Sequence, residues 1–105
     1  MRVELLWWDG CPSHPETLAD LERILSEEGI GAEVRSVEIE NDEQARREQF
    51  PGSPTIRVDG EDIFQAEVEG QAFSLTCRVY QLRDGRISPT PDPEELREAL
   101  RRRVA

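Results

Sequence analysis

The stretch Val3-Glu4-Leu5-Leu6-Trp7-Trp8-Asp9-Gly10-Cys11-Pro12-Ser13-His14-Pro15-Glu16 decides how this chain is read. Its first six residues are mostly β-branched, apolar or aromatic with little alternation, the pattern of a strand covered on both faces. Asp9 and Gly10 end that strand. Ser13 then supplies a capping hydroxyl, Pro15 suits a first helical turn and Glu16 adds an early carboxylate, after which Leu18, Leu21, Ile24 and Leu25 recur at helical spacing. A strand therefore feeds a helix through a short turn, and Cys11 sits in the turn. The helix is expected to stop at Gly29 or Gly31, because glycine accepts the left-handed conformation that commonly ends helices.

Outward from that unit, Val34, Val37 and Ile39 mark a second strand, and the odd step between the valines points to two-sided burial or a bulge. Asn41 is placed to cap a short helix over residues 42–49. Pro51 and Gly52 break the chain, residues 55–58 read as a third strand, and Asp59-Gly60 is a strong tight-turn signal. Residues 61–76 fit no single period, with Ile63, Phe64, Val68 and Phe73 irregularly spaced, and read as a long loop or a lid. A strand pattern resumes over residues 77–82, Asp84-Gly85 signals a turn, and Pro89, Pro91 and Pro93 stiffen the approach to a last helix. In that helix Asp92 is the expected cap, Glu95 completes a capping box, and Leu96, Ala99, Leu100 and Val104 form one apolar face. Arg101, Arg102 and Arg103 fall in its last turn, where cations complement exposed carbonyls.

The resulting order is β-α-β-α-β-β-α, an α/β fold with a four-stranded mixed sheet, its first two strands parallel through a right-handed connection and helices on both faces. A chain of 105 residues fits a single domain spanning 1–105. No apolar run approaches the ~20 residues that cross a bilayer, and the N-terminus lacks a secretory pattern. A soluble cytoplasmic protein with no membrane partner is expected. Thirteen Lys and Arg against 23 Asp and Glu leave a net charge of -10, which disfavours nucleic acid as a partner. Two cysteines are too few for a disulfide framework, so each is either a reactive thiol or an inert buried one.

The element order, joined to Trp8-Asp9-Gly10-Cys11-Pro12-Ser13-His14 and to Phe50-Pro51-Gly52-Ser53-Pro54-Thr55, resembles the thioredoxin-like family over nearly the whole chain. The resemblance implies that Cys11 is the nucleophile opening the first helix and that Pro54, followed by Thr55, is a cis-proline beside it. His14 stands where the second cysteine of the family's Cys-x-x-Cys falls, so a dithiol cycle within the motif is impossible. The Gly-Cys-Pro form looks closer to small glutaredoxin-like members.

A thiolate is the nucleophile in thiol chemistry, and a helix N-terminus stabilises it through oriented N–H groups. Cys11 is placed for that, and His14 either tunes the thiol as its catalytic partner or faces solvent near the cap. Trp8, Pro12, Ser53 and Pro54 are the expected substrate-binding residues, since a cis bond at Ser53-Pro54 exposes backbone groups able to pair with an extended thiol substrate. Trp7 and Trp8 point to opposite faces of their strand, one into the core and the other bordering the thiol. Cys77 is a possible resolving thiol. In the simplest topology, however, it starts a strand at the sheet end opposite Cys11, which favours a buried, inert cysteine. No cofactor and no metal site are expected, because a structural zinc needs four ligands and only Cys11 and His14 lie at useful spacing. A two-coordinate soft ion such as mercury is the alternative, and some thioredoxin-like proteins resembling this one occur alongside mercury resistance. The expected function is thiol redox chemistry in which Cys11 exchanges with a protein or small-molecule thiol or disulfide and an external thiol resolves the product. The alternatives are a non-catalytic binding module on the same fold and a soft-metal-binding accessory.

Overall fold

The computed structural model describes residues 1–64 and 73–104; residues 65–72, Val68 among them, and Ala105 lie outside the described residues. Strand β1 (Val3–Trp7) is the centre of a four-stranded mixed sheet. It pairs in parallel with β2 (Val34–Glu38) and antiparallel with β3 (Thr55–Val58), which in turn pairs with β4 (Glu61–Asp62), giving the order β2-β1-β3-β4. The central position explains why apolar residues fall on both faces of the strand. Val3 and Leu5 join one hydrophobic cluster with Ile56 and Val58, while Leu6 joins a second with Ile39, Ala45 and Phe50. Glu4 shares the second face and is neutralised there by Arg57 at 3.3 Å.

Helix α1 (His14–Glu27) buries Leu21, Ile24 and Leu25 of the stripe its spacing predicts, with Leu18 only partly buried and Thr17 buried beside it, and the chain leaves it through Gly29 at φ +67. Leu21, Ile24 and Leu25 meet Leu96 and Leu100 of helix α3 (Pro93–Val104) in the first cluster. Each such leucine contributes about 1.5–3 kcal/mol by burial. Helix α2 (Asp42–Arg47) covers the opposite face through Ala45. The Asn41 side chain caps it by accepting from the Gln44 N–H at 2.8 Å, and Gln44 Oε1 accepts from the Glu40 N–H in return. The helix ends two residues earlier than its composition suggests, because Gln49 already stands at φ +54. The step from Val34 to Val37 is two-sided burial with no bulge: the β1–β2 register is continuous, and the two valines pack against different clusters.

Three expectations are corrected. The fourth strand of the sheet is β4, not residues 77–82: Asp59 (φ +52) and Gly60 (φ +87) make a two-residue hairpin that returns the chain at once to β3. Residues 77–82 instead contribute β5 (Tyr80–Gln81), which pairs with β6 (Ile87–Ser88) in a separate two-stranded sheet around the Asp84-Gly85 turn. At α3, Asp92 does cap by accepting from the Glu94 N–H at 2.9 Å, but Glu95 completes no box and lies 3.5 Å from Arg83. The terminal arginines make ion pairs rather than cap carbonyls. Arg101 grips Glu28 with two hydrogen bonds of 2.6 and 2.9 Å, and Arg103 lies 3.5 Å from Glu61. No helix among the described residues is long and apolar enough to cross a membrane.

Glu28 is the joint between α1 and α3, receiving Arg101 and, at 2.6 Å, Arg97. Hydrogen bonds from Arg101 first and Arg97 second hold its carboxyl down at about 2, against an ordinary value of 4.5. A depressed carboxyl stabilises the fold above its unfolded pKa, and that contribution fades as pH falls from 4.5 towards 2. Glu28→Gln is therefore expected to lower stability at pH 7 and to flatten its decline between those two values, as read from urea midpoints at stepped pH.

Candidate functional site

The turn after β1 is closed by the Cys11 N–H donating to the Trp8 carbonyl at 3.0 Å. This brings Cys11 to the mouth of α1 and under the loop before β3. Cys11 is 3 % exposed, yet its sulfur has polar neighbours: the Ser53 carbonyl oxygen, to which the thiol donates at 3.5 Å, and Ser13 Oγ at 3.6 Å. The Ser13 hydroxyl caps nothing at α1, so its side chain serves the thiol instead of the helix. The Ser53-Pro54 peptide bond is cis, and Thr55 Oγ1 donates back to the Gly52 carbonyl at 2.6 Å, binding this loop to itself.

The backbone groups of Ser53 are not free for a substrate. Its N–H donates to the Thr76 carbonyl at 2.8 Å and its carbonyl accepts the Arg78 N–H at 2.9 Å, a parallel bridge in which Ser53 faces Cys77. The chain's own residues 76–78 therefore lie where an extended partner was expected. Gly52, at φ +150, makes this approach possible: a Cβ there would stand 2.9 Å from both the Arg78 nitrogen and the Arg78 Cβ.

Cys77 accordingly differs from the sequence expectation in both position and exposure. It is exposed, not buried, and it sits beside Cys11 rather than at the far end of the sheet. The bridge to Ser53 carries it there, because the segment before β5 runs back over the site instead of entering the main sheet. The neighbouring Cys11 thiol, with burial second, pushes the Cys77 pKa up to about 11 from an ordinary 9.0. Cys77 therefore keeps its proton near neutral pH.

Residues 77–81 alternate, with Arg78 and Tyr80 buried and Cys77, Val79 and Gln81 outward. Arg78 anchors the segment. Its guanidinium reaches Asp62 at 2.8 Å, the Phe64 carbonyl at 3.0 Å and Thr55 Oγ1 at 3.2 Å, and lies 4.7 Å over the Tyr80 ring. Tyr80 in turn donates its hydroxyl to the Pro54 carbonyl at 2.5 Å. Sequence reasoning marks Gly52 only as a chain break and singles out none of Asp62, Arg78 or Tyr80. The signal that was present is the alternation of Arg78 and Tyr80 with their outward neighbours.

The remaining expected site residues are spread around this centre. His14 is turned away from the sulfur: its ring stacks on Trp7 at 4.1 Å, and Nδ1 lies 3.2 Å from the Cys11 carbonyl oxygen, donating in the tautomer protonated there. Trp7 fixes that stack by donating Nε1–H to Ser36 Oγ at 2.7 Å. Neither tryptophan is fully buried. Trp8 packs against the Leu6 cluster with its ring over Gly10, and Pro12 is exposed. Phe64 is a core anchor set edge-on to Tyr80 at 5.4 Å. Among the described residues no three His, Cys, Asp or Glu side chains gather as a metal would need. Comparison with family models, with curated proteins and with solved structures found no match for this chain.

Two measurements check the geometry. Gly52→Ala is expected to cost about 1–3 kcal/mol by strain and by displacement of Arg78. Ser53→Ala removes only a buried hydroxyl without a partner among the described residues and is expected to be neutral or slightly stabilising, both read by urea denaturation. Separately, Cys11→Ala removes the neighbouring thiol that is the largest cause of the raised Cys77 pKa. The thiolate fraction of Cys77 at pH 8 then rises, with burial alone still holding its pKa up, and part of the gain is offset by the lower nucleophilicity of a more acidic thiol. Alkylation of Cys77 by iodoacetamide is expected to accelerate by roughly tenfold.

Proposed function

We propose that this protein is a thioredoxin-like thiol–disulfide exchange protein whose reacting sulfurs are Cys11 and Cys77. The observation that carries the reading is the Ser53–Cys77 bridge, which sets Cys77 against the same residue whose carbonyl accepts the Cys11 thiol and brings the two sulfurs close enough to interact. Its support from the scaffold is the β-α-β-α-β-β order with sheet order β2-β1-β3-β4, the terminal α3 helix, and a cysteine at the mouth of α1 against the loop that carries the cis Ser53-Pro54 bond.

The reaction is a two-electron exchange. The two thiols of the reduced chain give up their electrons to a partner disulfide, the Cys11–Cys77 bond forms, and two partner thiols leave carrying the two protons. Cys77 supplies within the chain the second thiol that the motif alone lacks. It does so from the far side of the sequence, which is why an incomplete Cys-x-x-Cys is no obstacle. The same pair of sulfurs also matches the donor set of a two-coordinate soft ion, the second reading this geometry favours.

Wild-type protein equilibrated in buffers of reduced and oxidised glutathione, quenched with acid and mapped without reduction, is expected to contain a Cys11–Cys77 disulfide. Either Cys11→Ser or Cys77→Ser is expected to lower reduction of a model disulfide by at least about tenfold. A wild-type chain that never forms that bond overturns the exchange reading. If the chain instead binds one mercuric ion only while both cysteines are present, the soft-ion reading stands in its place.

A further inference from the structure

We propose that partner sulfurs meet this protein at Cys77, and that Cys11, the motif cysteine, is the sheltered sulfur that completes the exchange from inside. The proposal rests on the Cys11–Cys77 exchange reading and assigns the order of attack within it.

Disulfide exchange is an in-line displacement at sulfur, so the attacked or attacking atom must be reachable from solvent. Cys11 is 3 % exposed and its thiol is directed at the Ser53 carbonyl. The path along Ser53 that an extended partner would take is filled by residues 76–78, through the 2.8 and 2.9 Å backbone hydrogen bonds. That filling is anchored, because Arg78 is 4 % exposed and tied to Asp62, Thr55 and Phe64. Lifting the segment to uncover Cys11 would strip a buried guanidinium of these partners. Cys77 needs no such opening. It faces outward on the same strand side as Val79, which is 60 % exposed and offers apolar surface beside the sulfur.

The steps balance as follows. The Cys77 thiolate attacks one sulfur of a partner disulfide, forming a Cys77–partner bond and releasing the first partner thiolate. The Cys11 thiolate then attacks the Cys77 sulfur, forming Cys11–Cys77 and releasing the second. The two protons given up by the cysteines go through solvent to the departing thiolates. In reverse, an external thiolate attacks Cys77 of the oxidised chain, and Cys11 leaves with the electron pair into a pocket where the Ser13 hydroxyl stands 3.6 Å away. The high pKa of Cys77 makes the forward first step slow near neutrality and faster with rising pH.

The test uses oxidised wild-type protein and reduced glutathione, with acid quenching at early times and peptide mapping of the mixed disulfide. The adduct is expected on Cys77 in at least about tenfold excess over Cys11. For an adduct that resolves faster than the quench, the single-thiol chains Cys11→Ser and Cys77→Ser are reacted with glutathione disulfide. The chain keeping Cys77 is expected to react at least about tenfold faster, and the gap is expected to close in urea, where burial no longer separates the two sulfurs. An adduct on Cys11, or equal rates in the native state, overturns the proposal while leaving the exchange reading intact. Failure of the wild-type chain to form a Cys11–Cys77 bond at all overturns both.

Discussion

Everything distinctive about this molecule depends on one pairing, the docking of residues 76–78 onto the backbone of Ser53. Both the N–H and the carbonyl of Ser53 are satisfied by it, at 2.8 and 2.9 Å, and the same carbonyl also accepts the Cys11 thiol. A buried backbone group left without a partner is costly, so the pairing is held in place by the demand of Ser53 as much as by any side chain. Gly52 makes the close approach possible, and Arg78 secures it from the other side. The sulfur of Cys77 arrives next to Cys11 as a consequence of where the backbone has to go.

The scaffold was largely legible because its signals are local and periodic. The two-sided burial of β1 shows as a mostly apolar run with little alternation, the stripe of α1 as Leu21, Ile24 and Leu25, and the Asp59-Gly60 hairpin as a dipeptide suited to positive φ. The misreadings share a cause in long-range contacts that leave no period. Two residues of β4 are too few to alternate, so the sheet's fourth strand lay hidden in a segment that looked like a loop. Ser13 reads as a cap by residue type, but its hydroxyl is drawn to a sulfur. His14 occupies the position of a missing cysteine and spends its ring on Trp7.

Of the site, the sequence exposed one half. Cys11 and the Ser53-Pro54 turn stand out because each belongs to a compact motif. Cys77 stands in no motif, and simple threading of strands sends it the wrong way. Only the buried alternation of Arg78 and Tyr80 reveals that residues 77–81 lie flat against the turn rather than continuing the main sheet. A cysteine's role here is set by which backbone its neighbours bind, a property that spacing cannot encode.

The sheet order also decides how the molecule treats its own copies. Its two outer strands are β2, whose Arg35 and Glu38 are exposed, and β4, which is only Glu61 and Asp62. One rim is charged and the other is both short and acidic, so neither offers the long flat apolar edge on which strands from separate molecules stack into aggregates. Copies of this chain therefore gain nothing by stacking along the rims of the main sheet.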